Sequence, residues 1–147
     1  MLKKMKALAK EKDICVLATV AGIEPHCSLM AYVTDDDCTE IYMVSYTDTH
    51  KFKNMTENSL VSLMIDTRHE SASPQLPRTK ALTISGVFER LVEEEKKAFV
   101  RKKFLERHPY LKEFINQPHA EPFVIKVSSF LLLEGVTESH FEAVKTV

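Results

Sequence analysis

Tyr42-Met43-Val44-Ser45-Tyr46-Thr47-Asp48-Thr49-His50-Lys51-Phe52-Lys53-Asn54-Met55 is the stretch on which the reading of this chain turns. Its first part continues Glu40-Ile41, and the apolar, β-branched character of Glu40 to Ser45 predicts a strand. Its second part places Phe52 and Met55 three apart behind Thr49, which predicts a short helix from Thr49 to Asn58 with Thr49 as amino-terminal cap. A strand thus runs into a helix whose start carries a hydroxyl, an imidazole and a lysine. Free N–H groups at a helix start carry partial positive charge, and a lysine and hydroxyl beside them add charge-assisted hydrogen bonds of about 1.5 to 3 kcal/mol each. That chemistry suits a phosphate and needs no glycine. Taken alone, the segment also fits an ordinary capped surface helix.

Working outward, Leu2, Met5, Leu8 and Ala9 recur at helical spacing among lysines and predict an amphipathic helix over residues 2 to 12. Ile14 to Val20, the turn at Ala21-Gly22 and the run from His26 to Thr34 predict a hairpin, and Asp35-Asp36-Asp37 the next reversal. Beyond the short helix, Ser59 to Asp66 reads as a strand, and meander connectivity is expected. Residues 67 to 78 are polar, contain Pro74 and Pro77 and lack periodicity, so they read as a loop. Lys80 to Leu91 reads as a strand around Gly86, and Glu93 to Arg107 as a helix with Phe99, Val100 and Phe104 along one side. His108-Pro109 ends it. A short helix from Tyr110 to Asn116 and a long strand from Phe123 to Glu134 follow, then a polar tail. The expectation is a mainly β fold: about six antiparallel strands forming a small barrel with flanking helices, one domain over residues 1–147.

Composition narrows the function. The 147 residues hold 20 Lys plus Arg against 21 Asp plus Glu, a formal net charge of −1, which provides no long-range field to gather nucleic acid or an anionic membrane. The basic cluster Arg101-Lys102-Lys103 is neutralised by neighbouring glutamates. Apolar runs such as Phe130 to Leu133 fall far short of the roughly 20 residues that cross a bilayer. Lys10 to Asp13 interrupt any apolar segment behind the basic amino terminus, so the chain reads as cytosolic. Cys15, Cys27 and Cys38 form no Cys-x-x-Cys pair and read as reduced thiols. With only three glycines, the chain carries neither a G-x-G-x-x-G dinucleotide fingerprint nor a Walker loop. The Asp35 to Asp37 run reads as a solvated turn, and the histidines do not assemble a metal motif from sequence neighbours. The aromatic residues of Phe99 to Ile115 read as core or subunit interface.

Pro25-His26-Cys27-Ser28-Leu29-Met30-Ala31-Tyr32-Val33, Ile41 to Ser45 and Thr49-His50-Lys51 before Asn54-Met55 resemble, in order and spacing, the pyridoxamine 5'-phosphate oxidase-like, FMN-binding split-barrel family. Leu60 to Ile65, Thr83 to Glu89 and the closing strand with Gly135 add to the likeness. The resemblance implies a split barrel, a homodimer holding FMN at the subunit interface, and a phosphate gripped by Thr49, His50 and Lys51. It further implies that Val44 and Ser45, with Ser28, Leu29 and Met30, line the flavin.

Two departures limit what carries over. His50 stands where the oxidase proper has arginine, which exchanges a permanently charged bidentate grip for an imidazole. The last strand has Leu132-Leu133 in place of a tryptophan, and Val136 to Phe141 contains no Arg-x-His, so the clamp for pyridoxamine phosphate is missing. The expected function is therefore FMN-dependent oxidation or reduction of an unidentified small molecule. A haem-binding or haem-utilising barrel with an axial nitrogen from His26, His50, His69 or His140, a flavin module without catalysis, and a deazaflavin binder are the alternatives.

Overall fold

The computed structural model describes residues 1–144. The amino-terminal helix α1 (Leu2–Glu11) buries Met5, Leu8 and Ala9 and leaves its lysines outside, as its spacing requires. Strands β1 (Ile14–Ala21) and β2 (Glu24–Ala31) form the expected hairpin, with Ala21 opposite Glu24 and Gly22 at φ +62 in the turn. Strand β3 (Val33–Thr34) continues β2 after a break at Tyr32. Strand β4 (Glu40–Tyr46) leads into α2 (His50–Glu57), followed by β5 (Leu60–Asp66) and β6 (Lys80–Arg90). Helices α3 (Glu94–Arg107) and α4 (Lys112–Ile115) precede β7 (Ala120–Glu134) and β8 (Glu138–Ala143).

All pairings are antiparallel, in the order β2-β1-β5-β6-β7-β4-β3, with β8 on β7. The expected meander fails at one place: β4 pairs with β7 rather than β5, because α2 carries the chain across the barrel to the flank of β1. Its second end is closed by the β2–β3 run, which pairs with β1 before Tyr32 and with β4 after it. Tyr32 makes that bend rigid, donating its N–H to the Asp13 carbonyl at 3.0 Å and its hydroxyl to the Ala9 carbonyl at 2.6 Å. The described residues form eight strands where about six were expected. One of the additions is the split of the β2–β3 run. The other is β8, read as a polar tail because its alternation places only one face against protein.

The barrel interior is filled by Leu17, Met43, Leu63, Ile84, Ile125 and Phe130, with Met5 of α1 and Phe52 and Met55 of α2 inserted at its ends. Each such side chain contributes about 1.5–3 kcal/mol on leaving water. Gly86 sits at a register shift in β6, where an added Cβ would lie 2.6 Å from both Ile125 Cγ2 and the Lys126 carbonyl oxygen. Helix α3 covers the outer side of β4 and β7, packing Val100 on Tyr42 and Val124, while Phe104 joins Val44 and Ile115. Phe99, expected on the same buried side, is 50% exposed and meets Tyr42 edge-on.

Candidate functional site

The end of β4 and the start of α2 are locked together by hydroxyls. Thr49 Oγ1 donates to the Tyr46 carbonyl at 2.9 Å and accepts the Phe52 N–H at 3.4 Å, which is the cap its sequence position predicts. Ser45 Oγ donates to the same carbonyl and lies 3.2 Å from Thr49 Oγ1. The first intrahelical bond runs from Lys53 N–H to the Thr49 carbonyl, so the His50 and Lys51 N–H groups precede the helical ladder and point out of it.

This corner forms the polar end of a cleft of about 340 Å³. Leu29, Met30, Val44, Ser45, Thr49 and Lys51 all line it, so six of the eight residues singled out from sequence converge on one cavity. Ser28 and His50 do not line it. Ser28 is half-buried on the inward side of β2, opposite Leu17. His50 faces His26 instead, with ring centroids 6.1 Å apart. The cause is helical spacing: Asn54, one turn on from His50, donates to Thr19 Oγ1 at 3.1 Å, and Thr19 is the cross-strand partner of His26. The contact that seats α2 on β1 therefore also turns His50 toward β2.

Lys51 is half-buried, and burial holds its pKa below the ordinary lysine range with no carboxylate to oppose the effect. An ammonium so placed lacks a counter-charge, and an arriving phosphate would supply one. The donors at this end, a lysine, a threonine hydroxyl and two N–H groups at a helix start, fit a phosphate monoester. The rest of the cleft fits a planar apolar ring.

The far wall escaped the sequence reading. Phe104 of α3, Tyr110 and Leu111 of the 3₁₀ turn Pro109–Leu111, and Phe114 of α4 also line the cleft, Phe114 with its ring 4.8 Å from that of Tyr46. Their signal was a density of aromatic residues on both sides of His108-Pro109, which burial alone also explains.

Other chemistry-bearing groups stand apart from the cleft. Burial pushes the Cys15 thiol up to about 12 and, with Asp35 nearby, the Cys38 thiol to about 11, so both are inert. Burial would raise the Glu40 carboxyl, but hydrogen bonds from Lys126, Tyr42 and Lys96 outweigh it and hold the group down at about 2. His140 lies 3.7 Å from Glu134, which Lys4 already holds. Among the described residues no group of three or more His, Cys, Asp or Glu could hold a metal.

A sequence profile of the family described as pyridoxamine 5'-phosphate oxidase matches residues 1–130. The chain belongs to this family. Curated protein sequences contain no match to it. A haem-binding protein from Mycobacterium smegmatis superposes with TM-score 0.82 at 18% identity, over 95% of this chain and 56% of that one. The chain thus spans little more than half of that relative. A FAD-binding protein from Mesorhizobium loti gives TM-score 0.74 at 15% identity, covering 90% and 93% of the two chains. The haem storage protein HutZ from Vibrio cholerae gives 0.69 at 19%, covering 86% and 87%. At these identities the likeness shows a shared split-barrel fold.

Proposed function

We propose that this member of the family binds FMN, with the phosphate at Thr49 and Lys51 and the ring in the apolar part of the cleft, and acts as an oxidoreductase on a small molecule other than pyridoxamine phosphate. The observation that carries the reading is the half-buried Lys51, with no carboxylate partner among the described residues, beside two helix-start N–H groups at the polar end of an apolar cleft. Bound flavin would supply hydride or electron transfer, while this chain supplies orientation and exclusion of water. Action in a reducing cytoplasm is supported by three free cysteines.

A homodimer with the cofactor at its interface is part of the same proposal. Register places Leu29, Val16, Met64, Thr83, Leu131 and Phe141 in one row across the outward face of six strands. Leu29 is 76% and Phe141 65% exposed, and no helix covers them. Because Leu29 belongs to both this face and the cleft, a second copy seated on the face would also close the cleft.

The visible spectrum of the purified protein, before and after addition of FMN and with chromatographic identification of released cofactor, tests the reading. A stoichiometric yellow complex is expected. A colourless protein that ignores FMN would sink it. A sharp haem band would support the alternative that the exposed imidazoles of His26 and His50 offer, and its loss in His26→Ala or His50→Ala would locate the ligand.

A further inference from the structure

His108 is fully buried, yet no step of the flavin reading uses it. Both of its ring nitrogens are engaged: Nε2 lies 2.8 Å from the Tyr32 carbonyl oxygen and Nδ1 3.1 Å from the Tyr110 hydroxyl. A carbonyl only accepts, so Nε2 carries a proton, and in the neutral ring Nδ1 is left to accept from the Tyr110 hydroxyl. The imidazole therefore ties the cleft wall to Tyr32, the residue that closes the barrel. Tyr110 is 69% exposed and would otherwise swing freely, and its hydroxyl is held from beneath. The Phe104 ring packs on the same imidazole, centroids 4.9 Å apart. The cations of this segment do not reach the cleft. Arg107 turns away to donate to the Glu11 carbonyl at 2.7 Å, and Lys51, which the flavin reading gives to the cofactor phosphate, is the sole cation among the described lining residues.

We propose that Tyr110 and Phe114, backed by the buried Phe104, form a stacking subsite for a neutral planar ring, the second ligand of the cleft, and that His108 is the positioning residue that presents Tyr110 to it. The proposal rests on the flavin reading for the position of the subsite beside the cofactor. Aromatic faces without a cation favour an uncharged ring and leave a phosphate-bearing one without a partner.

The test is calorimetric titration of the FMN-loaded protein with 2-naphthol and, separately, with pyridoxamine 5'-phosphate. The neutral ring is expected to bind more tightly. Tyr110→Ala should weaken 2-naphthol by about tenfold. Tyr110→Phe keeps the ring but not the hydroxyl, and His108→Gln keeps a donor for Tyr32 but no acceptor for Tyr110; each should weaken it by about threefold. The double variant should weaken 2-naphthol no more than either single one. A purely structural His108 would lower the melting temperature of the glutamine variant and leave its relative affinity for 2-naphthol alone, which overturns the positioning role. Tyr110→Phe decides the same point should the glutamine variant fail to fold. Tighter binding of pyridoxamine 5'-phosphate, or loss of FMN itself from Tyr110→Ala, overturns the subsite while leaving the flavin reading intact. If the wild type takes up no FMN, the flavin reading fails, and titration of the flavin-free protein with 2-naphthol still decides the subsite.

Discussion

Lys51 and His50 are neighbours in sequence but face different ways: Lys51 lines the cleft, whereas the His50 ring stands 6.1 Å from His26 on β2. In the proposed FMN complex the phosphate grip would thereby be divided unequally. Lys51→Ala is expected to weaken FMN by about 1.5–3 kcal/mol, and Lys51→Ala with Thr49→Ala by about 3–6 kcal/mol if the two add. His50→Ala should cost less than either. Fluorescence titration with FMN checks this, and an equal loss from His50→Ala would contradict the division.

The same lysine burdens the protein before any ligand arrives. Burial lowers its pKa, so the unfolded chain binds the proton more tightly and stability rises with pH between the lowered value and the ordinary lysine range. Ligand-free Lys51→Met should therefore melt above the wild type at pH 7, and the gap should narrow as pH climbs toward that range. FMN should stabilise the wild type and not the variant. Melting curves across alkaline pH, with and without FMN, provide the measurement.

Glu40 has the opposite sign. Its carboxylate is held at about 2 by three hydrogen bonds, against burial, so the stability it provides is complete above the ordinary glutamate value and lost as pH falls from there toward 2. Glu40→Gln should cost about 1–3 kcal/mol at pH 7, because Lys96 and Lys126 lose their anion. In acid the two proteins should converge, as urea denaturation at stepped pH would show.

Gly86 tests the barrel rather than the site. Its missing Cβ admits the Lys126 carbonyl of the neighbouring strand, and that atom is backbone and cannot rotate away. Gly86→Ala should destabilise by about 1–3 kcal/mol without altering the cofactor chemistry of whatever folds. The midpoint of chemical denaturation reads the effect.

Why the strand-to-helix corner was legible and the far wall was not has a physical reason. Thr49, Phe52 and Met55 act within one turn of each other, so capping and periodicity fix the corner locally. Leu29 and Met30 alternate to opposite faces of β2, so strand periodicity alone would not bring both to the cleft, and only the fold joins them there. Tyr110 and Phe104 reach it through His108 and the Tyr32 carbonyl, a contact spanning 76 residues that no local pattern announces. The resemblance gave His50 to the phosphate with Thr49 and Lys51, and in the structure its ring faces His26, since a helix separates adjacent residues by about 100°. β4 went to β7 for a similar reason, since pairing across α2 is a property of the closed barrel and not of either strand.

In the proposed homodimer, the uncovered row on the sheet would join assembly to cofactor binding. Met64 is 39% exposed at its centre, flanked by Val16 and Thr83, and lies outside the cleft. A charge there would be left without water or a partner once a second copy covered the face, at a cost of several kcal/mol. Met64→Glu should therefore give a folded monomer in sedimentation velocity, with the circular dichroism of the wild type. If the cleft is completed across the interface, the same variant should also lose FMN affinity although every lining residue of its own chain is intact. A Met64→Glu monomer that binds FMN as tightly as the wild type would separate the two, leaving the cofactor site within one chain; a variant that stays dimeric would move the interface off this face.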